Sequence, residues 1–128
     1  MTEQEMNDFL QSIGGVKNGY YEDHHPIMDT SIFECGSGWY PLLEQLIRDL
    51  IALGWGRQVC QIKEKFGGLR FYITEGSDAV YARISQAEKE SYQTCEVTGK
   101  PGQLRTDIGW WTTLCDEEYQ KILEKRKQ

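Results

Sequence analysis

Four positions near the C-terminus carry the spacing of a zinc site. Cys95 and Thr98 close a Cys-x-x-Thr-Gly knuckle, and Cys115 and Glu118 are three residues apart where a helix is expected to begin. Tetrahedral zinc commonly takes two ligands from a knuckle and two from the first turn of a helix, because residues i and i+3 face the same way. The spacing fits at all four positions, but the side chains fit only at Cys95 and Cys115. Threonine is a poor ligand, and two cysteines with one glutamate are not a usual structural set. The expectation is therefore a metal-free unit with no cofactor. Zinc is the one cofactor weighed against it, and Cys95 and Cys115 are relic ligand positions.

Three other constellations bear on chemistry. Asp23-His24-His25, with Asp29 and Cys35 further on, contains the residue types of a metal or acid–base cluster. Side chains of adjacent residues diverge, so a structural loop is the simpler reading. Cys35 near two histidines raises a Cys/His enzyme, although no local nucleophile signature surrounds it. Gly36-Ser37-Gly38 lacks the Lys-Ser/Thr of a phosphate loop and precedes Trp39 and Pro41, which fits a loop entering a helix. Finally, Lys63, Lys65, Arg70 and Tyr72 fall on one face of an expected hairpin. Basic residues interleaved with an aromatic can hold a single nucleic-acid strand. A solvated face, or one covered by a helix whose Glu88 or Glu90 pairs the lysines, is simpler.

The elements that must position these residues follow from periodicity. Thr2 and Glu5 form a capping box, and Met6, Phe9, Leu10 and Ile13 follow at helical spacing until Gly14-Gly15. Residues 16–38 read as a long ordered loop, with a short extended piece near Ser31-Ile32-Phe33. A second helix is expected from Tyr40 to Leu53, with Pro41 in its first turn and an apolar stripe of Leu43, Leu46, Ile47 and Leu50. In the hairpin that follows, Cys60, Ile62 and Phe66, then Leu69, Phe71 and Ile73, are expected inward, with Gly67-Gly68 as the turn. Ser77 caps a third helix over 78–92, whose stripe of Val80, Ile84 and Ala87 is thin. The C-terminal unit then reads as the knuckle, a hairpin (Leu104-Arg105-Thr106, a turn at Asp107-Ile108-Gly109, Trp110 to Leu114) and a helix opened by Cys115. Trp110, Trp111, Leu114, Tyr119, Ile122 and Leu123 are its expected core in place of zinc. Asp116, Glu117 and Glu118 suit that helix's N-terminus, and Lys125 and Arg126 its end.

The chain has 128 residues, which suits one domain, and 39% hydrophobic residues, which suffices for a core. A net charge of -6 works against general binding to nucleic acid or anionic membranes. The N-terminus lacks the pattern of a secretory leader, and no apolar run approaches the ~20 residues of a membrane span. A cytoplasmic protein with four free thiols is expected.

Several stretches resemble a family of small bacteriophage and prophage proteins. They are Glu34-Cys35-Gly36-Ser37-Gly38-Trp39, Lys63-Glu64-Lys65-Phe66-Gly67-Gly68-Leu69-Arg70-Phe71-Tyr72, Thr94-Cys95-Glu96 and Thr113-Leu114-Cys115-Asp116-Glu117. The likeness covers residues 34–118. It implies a treble-clef-like finger whose relatives carry a full Cys-x-x-Cys and Cys-x-x-His quartet. This chain departs from that quartet at Thr98 and Glu118. The family carries no assigned reaction, so the resemblance transfers no catalytic residue.

The reading is an α+β fold: helices on a β-hairpin, followed by a degenerate treble-clef-like unit. The expected function is non-enzymatic. It is that of a phage-type accessory protein binding a protein partner, such as an acidic inhibitor of a host defence or restriction nuclease. The alternatives are a nucleic-acid-binding finger protein using Lys63, Lys65, Arg70 and Tyr72, and a small Cys/His or metal enzyme.

Overall fold

The structure, a computed structural model, describes residues 1–20 and 25–128; His24 lies outside them. The chain mixes helices and strands in an α+β fold. Helix α1 (Glu3–Ser12) opens with the expected capping box. The Thr2 hydroxyl accepts from the Glu5 N–H, and the Glu5 carboxylate accepts from the Thr2 N–H. It buries Met6, Phe9 and Leu10. The turn that follows it is held from a distance: the Arg57 guanidinium donates to the carbonyls of Ile13 and Gly15.

Between α1 and the next helix the chain makes two short strands, β1 (Lys17–Asn18) and β2 (Phe33–Glu34). Helix α2 (Tyr40–Ala52) carries Pro41 in its first turn and buries Tyr40, Leu43, Leu46, Ile47 and Leu50. Strands β3 (Gln58–Lys65) and β4 (Gly68–Ile73) form the hairpin. β3 is the central strand, with β4 antiparallel along one side. Along its other side β1 and β2 pair in parallel, one after the other, through Lys17↔Gln58 and Phe33↔Ile62.

The hairpin register differs from the sequence expectation in two places. A bulge between Val59 and Gln61 takes Cys60 out of the alternation, so Val59 opposes Ile73 and is buried. The pair Lys65↔Gly68 closes a two-residue turn made of Phe66-Gly67, not Gly67-Gly68. Phe66 therefore points out of the turn instead of into the core, and is 62% exposed.

Helix α3 (Asp78–Ser91) runs along the outer edge of β4 and against α2, to which Arg83 is tied through Asp49 at 2.8 Å. The Glu88 carboxylate accepts from the Phe71 N–H, and the Ser91 hydroxyl from the Leu69 N–H. These two side chains satisfy edge donors of β4 that no strand reaches. Glu88 is thus taken by backbone and does not pair a hairpin lysine.

The C-terminal unit comprises the knuckle, β5 (Gln103–Arg105), β6 (Thr112–Leu114) and α4 (Asp116–Arg126). Its buried cluster is Cys95, Leu114 and Cys115, with Tyr119 and Ile122 packed beside it. Trp110 and Trp111 do not join this core, contrary to the sequence reading; they are 51% and 52% exposed. The strand begins only at Thr112, so both indoles sit on the connecting loop, where Ile108 is the side chain that turns inward.

The unit is held to the body by backbone contacts. The Gly38 N–H donates to the Glu96 carbonyl at 2.8 Å, and the Trp39 indole donates to the Thr94 carbonyl at 2.8 Å. A Cβ at Gly38 would lie 2.3 Å from the Cys95 carbonyl oxygen. Rigid backbone cannot yield to it, so Gly38→Ala is expected to cost about 1–3 kcal/mol in urea unfolding. Gly56→Ala, where a Cβ meets nothing within 4 Å, should change stability by less than about 0.5 kcal/mol. Equal costs at the two positions would refute the docking account.

Candidate functional site

At the knuckle, hydrogen bonds link Thr98 to both cysteines. The Thr98 N–H donates to Cys95 Sγ at 3.4 Å, and Thr98 Oγ1 lies 3.6 Å from Cys115 Sγ. Burial pushes the Cys95 thiol up. The Thr98 hydroxyl and the N–H groups of Cys115, Thr98 and Val97 outweigh it and hold the thiol below its usual value. The Glu118 carboxylate pairs with Lys121 at 2.9 Å. Among the described residues no three His, Cys, Asp or Glu side chains converge in a group that could hold a metal. Two thiols and a hydroxyl do not make the donor set of a tetrahedral structural zinc.

Cys35 is a poor nucleophile. Burial, with the carboxylates of Glu96 and Glu64, pushes its thiol up to about 12, so it stays protonated. The Gly36-Ser37-Gly38 segment enters α2 through a short 3₁₀ turn, Ser37–Trp39. Its glycines lie against the Glu96 backbone, and the Gly36 N–H donates to the Glu96 carboxylate. Burial raises the Glu96 carboxyl above its usual value. The Gly36 N–H opposes that shift, and nearby Glu64 adds to it.

The hairpin residues are placed as follows. Lys63 lies directly across from Arg70, Tyr72 across from Gln61, and Lys65 across from Gly68. Arg70 is committed within the molecule, donating to the Tyr92 hydroxyl at 3.0 Å and the Leu69 carbonyl at 2.9 Å. Tyr92, following α3, occupies the space that a side chain at position 68 would need. Lys65 and Tyr72 are exposed, and Lys63 is half-buried.

The most distinctive site was not singled out by sequence reasoning. Phe66, Trp110 and Trp111 meet where the hairpin tip touches the loop before β6, and with Glu64 and Lys65 they line a cleft of about 770 Å³. Phe66 and Trp111 pack edge to face, with ring centroids 6.3 Å apart. Lys65 Nζ lies 5.6 Å from the Phe66 ring centre, and the Arg126 guanidinium lies 5.7 Å from that of Trp110.

The cleft is built from fixed parts. The Thr113 hydroxyl donates to the Gly67 carbonyl at 2.7 Å in a buried contact, which seats the turn on β6. Outside the cleft, Arg105 pairs with Asp116 at 2.7 Å and stacks on Tyr119, whose hydroxyl donates to Asp107. Arg126 donates to the Ile108 carbonyl. The loop bearing both tryptophans is thereby tied to α4 at two points.

Phe66 also violates a local rule. Its φ is 53° and that of Gly67 is 85°, as in a type I′ turn, where Asn-Gly is preferred and a bulky side chain is strained. The strain is worth about 1–2 kcal/mol and the aromatic contact with Trp111 about 0.5–1.5 kcal/mol, less at an exposed site. Relief should win narrowly. Phe66→Asn is expected to stabilise the fold by about 0.5–1 kcal/mol, raising Tm by a few degrees. A lowered Tm would instead mark Phe66 as a structural residue. Overnight treatment with a strong chelator should leave Tm within about 1 °C of the untreated protein; a fall of several degrees would show that metal contributes to folding. No protein-family profile, curated protein or solved structure matches the chain.

Proposed function

We propose that the protein acts by binding a protein partner through the Phe66–Trp110–Trp111 cleft. One observation carries this reading. Three large aromatic side chains, each more than half exposed, are held together at a fixed junction of two structural units, and one of them sits in a strained conformation. Buried aromatic anchors dominate protein–protein interfaces, and Trp contributes most per residue. Strain retained at an exposed position is expected where function requires the side chain.

The net charge of -6 selects a partner with a basic surface, in line with an inhibitor of a host nucleic-acid-processing enzyme such as a defence or restriction nuclease. The resemblance to phage proteins supports the same setting. The knuckle–hairpin–helix unit then serves as a metal-free, treble-clef-like scaffold for the two tryptophans. Among the described residues no helix is long and apolar enough to cross a membrane.

The test is affinity capture from lysate of the native host with the full chain, comparing wild type with a Trp110→Ala/Trp111→Ala variant. Both indoles are about half exposed, so the variant should remain folded by circular dichroism. A partner enriched by wild type should fall at least about tenfold with the variant, since hot-spot truncations cost about 2 kcal/mol or more. Undiminished enrichment by the folded variant would remove the cleft from the binding surface.

A further inference from the structure

The cleft has an acidic wall without a counter-ion. Glu64 lies on the same side of β3 as Ile62, directly across from Leu69, at the end of the hairpin beneath the aromatic cluster. Its Oε1 makes one long contact, 3.4 Å from the Gly67 N–H, and its Oε2 has no hydrogen-bond partner among the described residues. No cation lies within ion-pair distance of it among the described residues. Behind it sits Glu96, also without an ion-pair partner there, and the fields of the two carboxylates reach one another and Cys35. A half-buried carboxylate beside apolar walls creates a strong local demand for a cation.

The protein's own cations stop short of it. Lys65 lies against the Phe66 ring and Arg126 against the Trp110 ring, leaving Trp111 as the aromatic wall with no cation over it among the described residues. Both internal contacts show that the rings accept positive charge on their faces. A planar guanidinium satisfies both remaining features at once, because it stacks on an indole while its N–H fork engages a carboxylate. The compact, strongly hydrated ammonium of lysine meets only the second feature well.

We propose that the cleft receives an arginine side chain of the partner protein, stacked on Trp111 and hydrogen-bonded to Glu64. This rests on the protein-binding reading above and specifies its chemistry. It also separates roles within the cleft. Phe66 and Trp110 supply apolar area, while Trp111 and Glu64 select the charge.

The experiment uses the full chain and two short capped glycine peptides, one bearing a single arginine and the other citrulline, its uncharged near-isostere. Binding is read from the Trp110 and Trp111 indole N–H signals by NMR, with each peptide added to about 10 mM, where interactions of a few kcal/mol still register. The arginine peptide is expected to shift the Trp111 signal saturably, at least about fivefold more tightly than citrulline. Glu64→Gln, which keeps the acceptor for Gly67, should weaken arginine binding at least about threefold and citrulline binding by clearly less. Equal binding of both peptides, no effect of Glu64→Gln, or silence of both peptides would each overturn the proposal. So would a single-stranded oligothymidylate that shifts Trp111 when arginine does not, since that outcome marks a nucleic-acid platform. The two failures are distinguishable. Capture lost in the tryptophan double variant with no arginine response sinks only this inference. An arginine response with capture intact in that variant removes the protein-binding reading, and the partner's arginine with it, and leaves only an arginine-selective cleft.

Discussion

The C-terminal unit stays on the body through hydrogen bonds at two seams where glycines allow a close approach. At one seam Gly36 and Gly38 bring α2's entry against Thr94–Glu96, close enough for the Gly38 N–H to bond the Glu96 carbonyl directly. At the other, the Gly67 carbonyl accepts from the Thr113 hydroxyl in a buried contact. Neither seam leaves room for a Cβ, and together they fix a unit whose own apolar cluster is small. The aromatic cleft exists only because the second seam holds the hairpin tip at the loop before β6. A shift of one residue there would part Phe66 from Trp111.

Much of the framework was legible in the sequence. The capping box at Thr2 and Glu5, the stripe of Leu43, Leu46, Ile47 and Leu50, and the Ser77 cap each follow from local spacing, and local spacing is what helices obey. Strand β1 was not, and the extended piece expected near Ser31-Ile32-Phe33 is extended only from Phe33, where β2 starts after a 3₁₀ turn at Thr30–Ile32; two-residue parallel pairings leave no periodicity to read. The bulge at Cys60 was hidden for the same reason: alternation through Cys60 or Val59 looks equally regular until the partner strand fixes the register.

The site was missed through a rule that usually works. Phe66, Trp110 and Trp111 are apolar by type and were assigned to cores. Two signals spoke for the opposite. Lys65 and Gly68 are spaced to close a two-residue turn, which forces residue 66 outward. Ile108, one residue from Gly109, was available to fill the interior that the tryptophans were thought to fill. The knuckle, by contrast, was read from residue types alone. Thr98 donates to one cysteine sulfur through its N–H and lies beside the other through its hydroxyl, so hydrogen bonds join the loop to both thiols.

Helix α3 lies along β4 with Ser91 and Glu88 on its N–H groups, while the opposite flank of β3 carries only two-residue strands. Among the described residues, β3 and β4 thus offer no long open edge as a template for another strand, from a partner or from a second copy of the chain. The hairpin is thereby insulated from edge-to-edge assembly, which matters for a protein that displays three large aromatic rings in water. The exposed rings of Phe66, Trp110 and Trp111 then meet water at the hairpin's tip, away from its covered flanks.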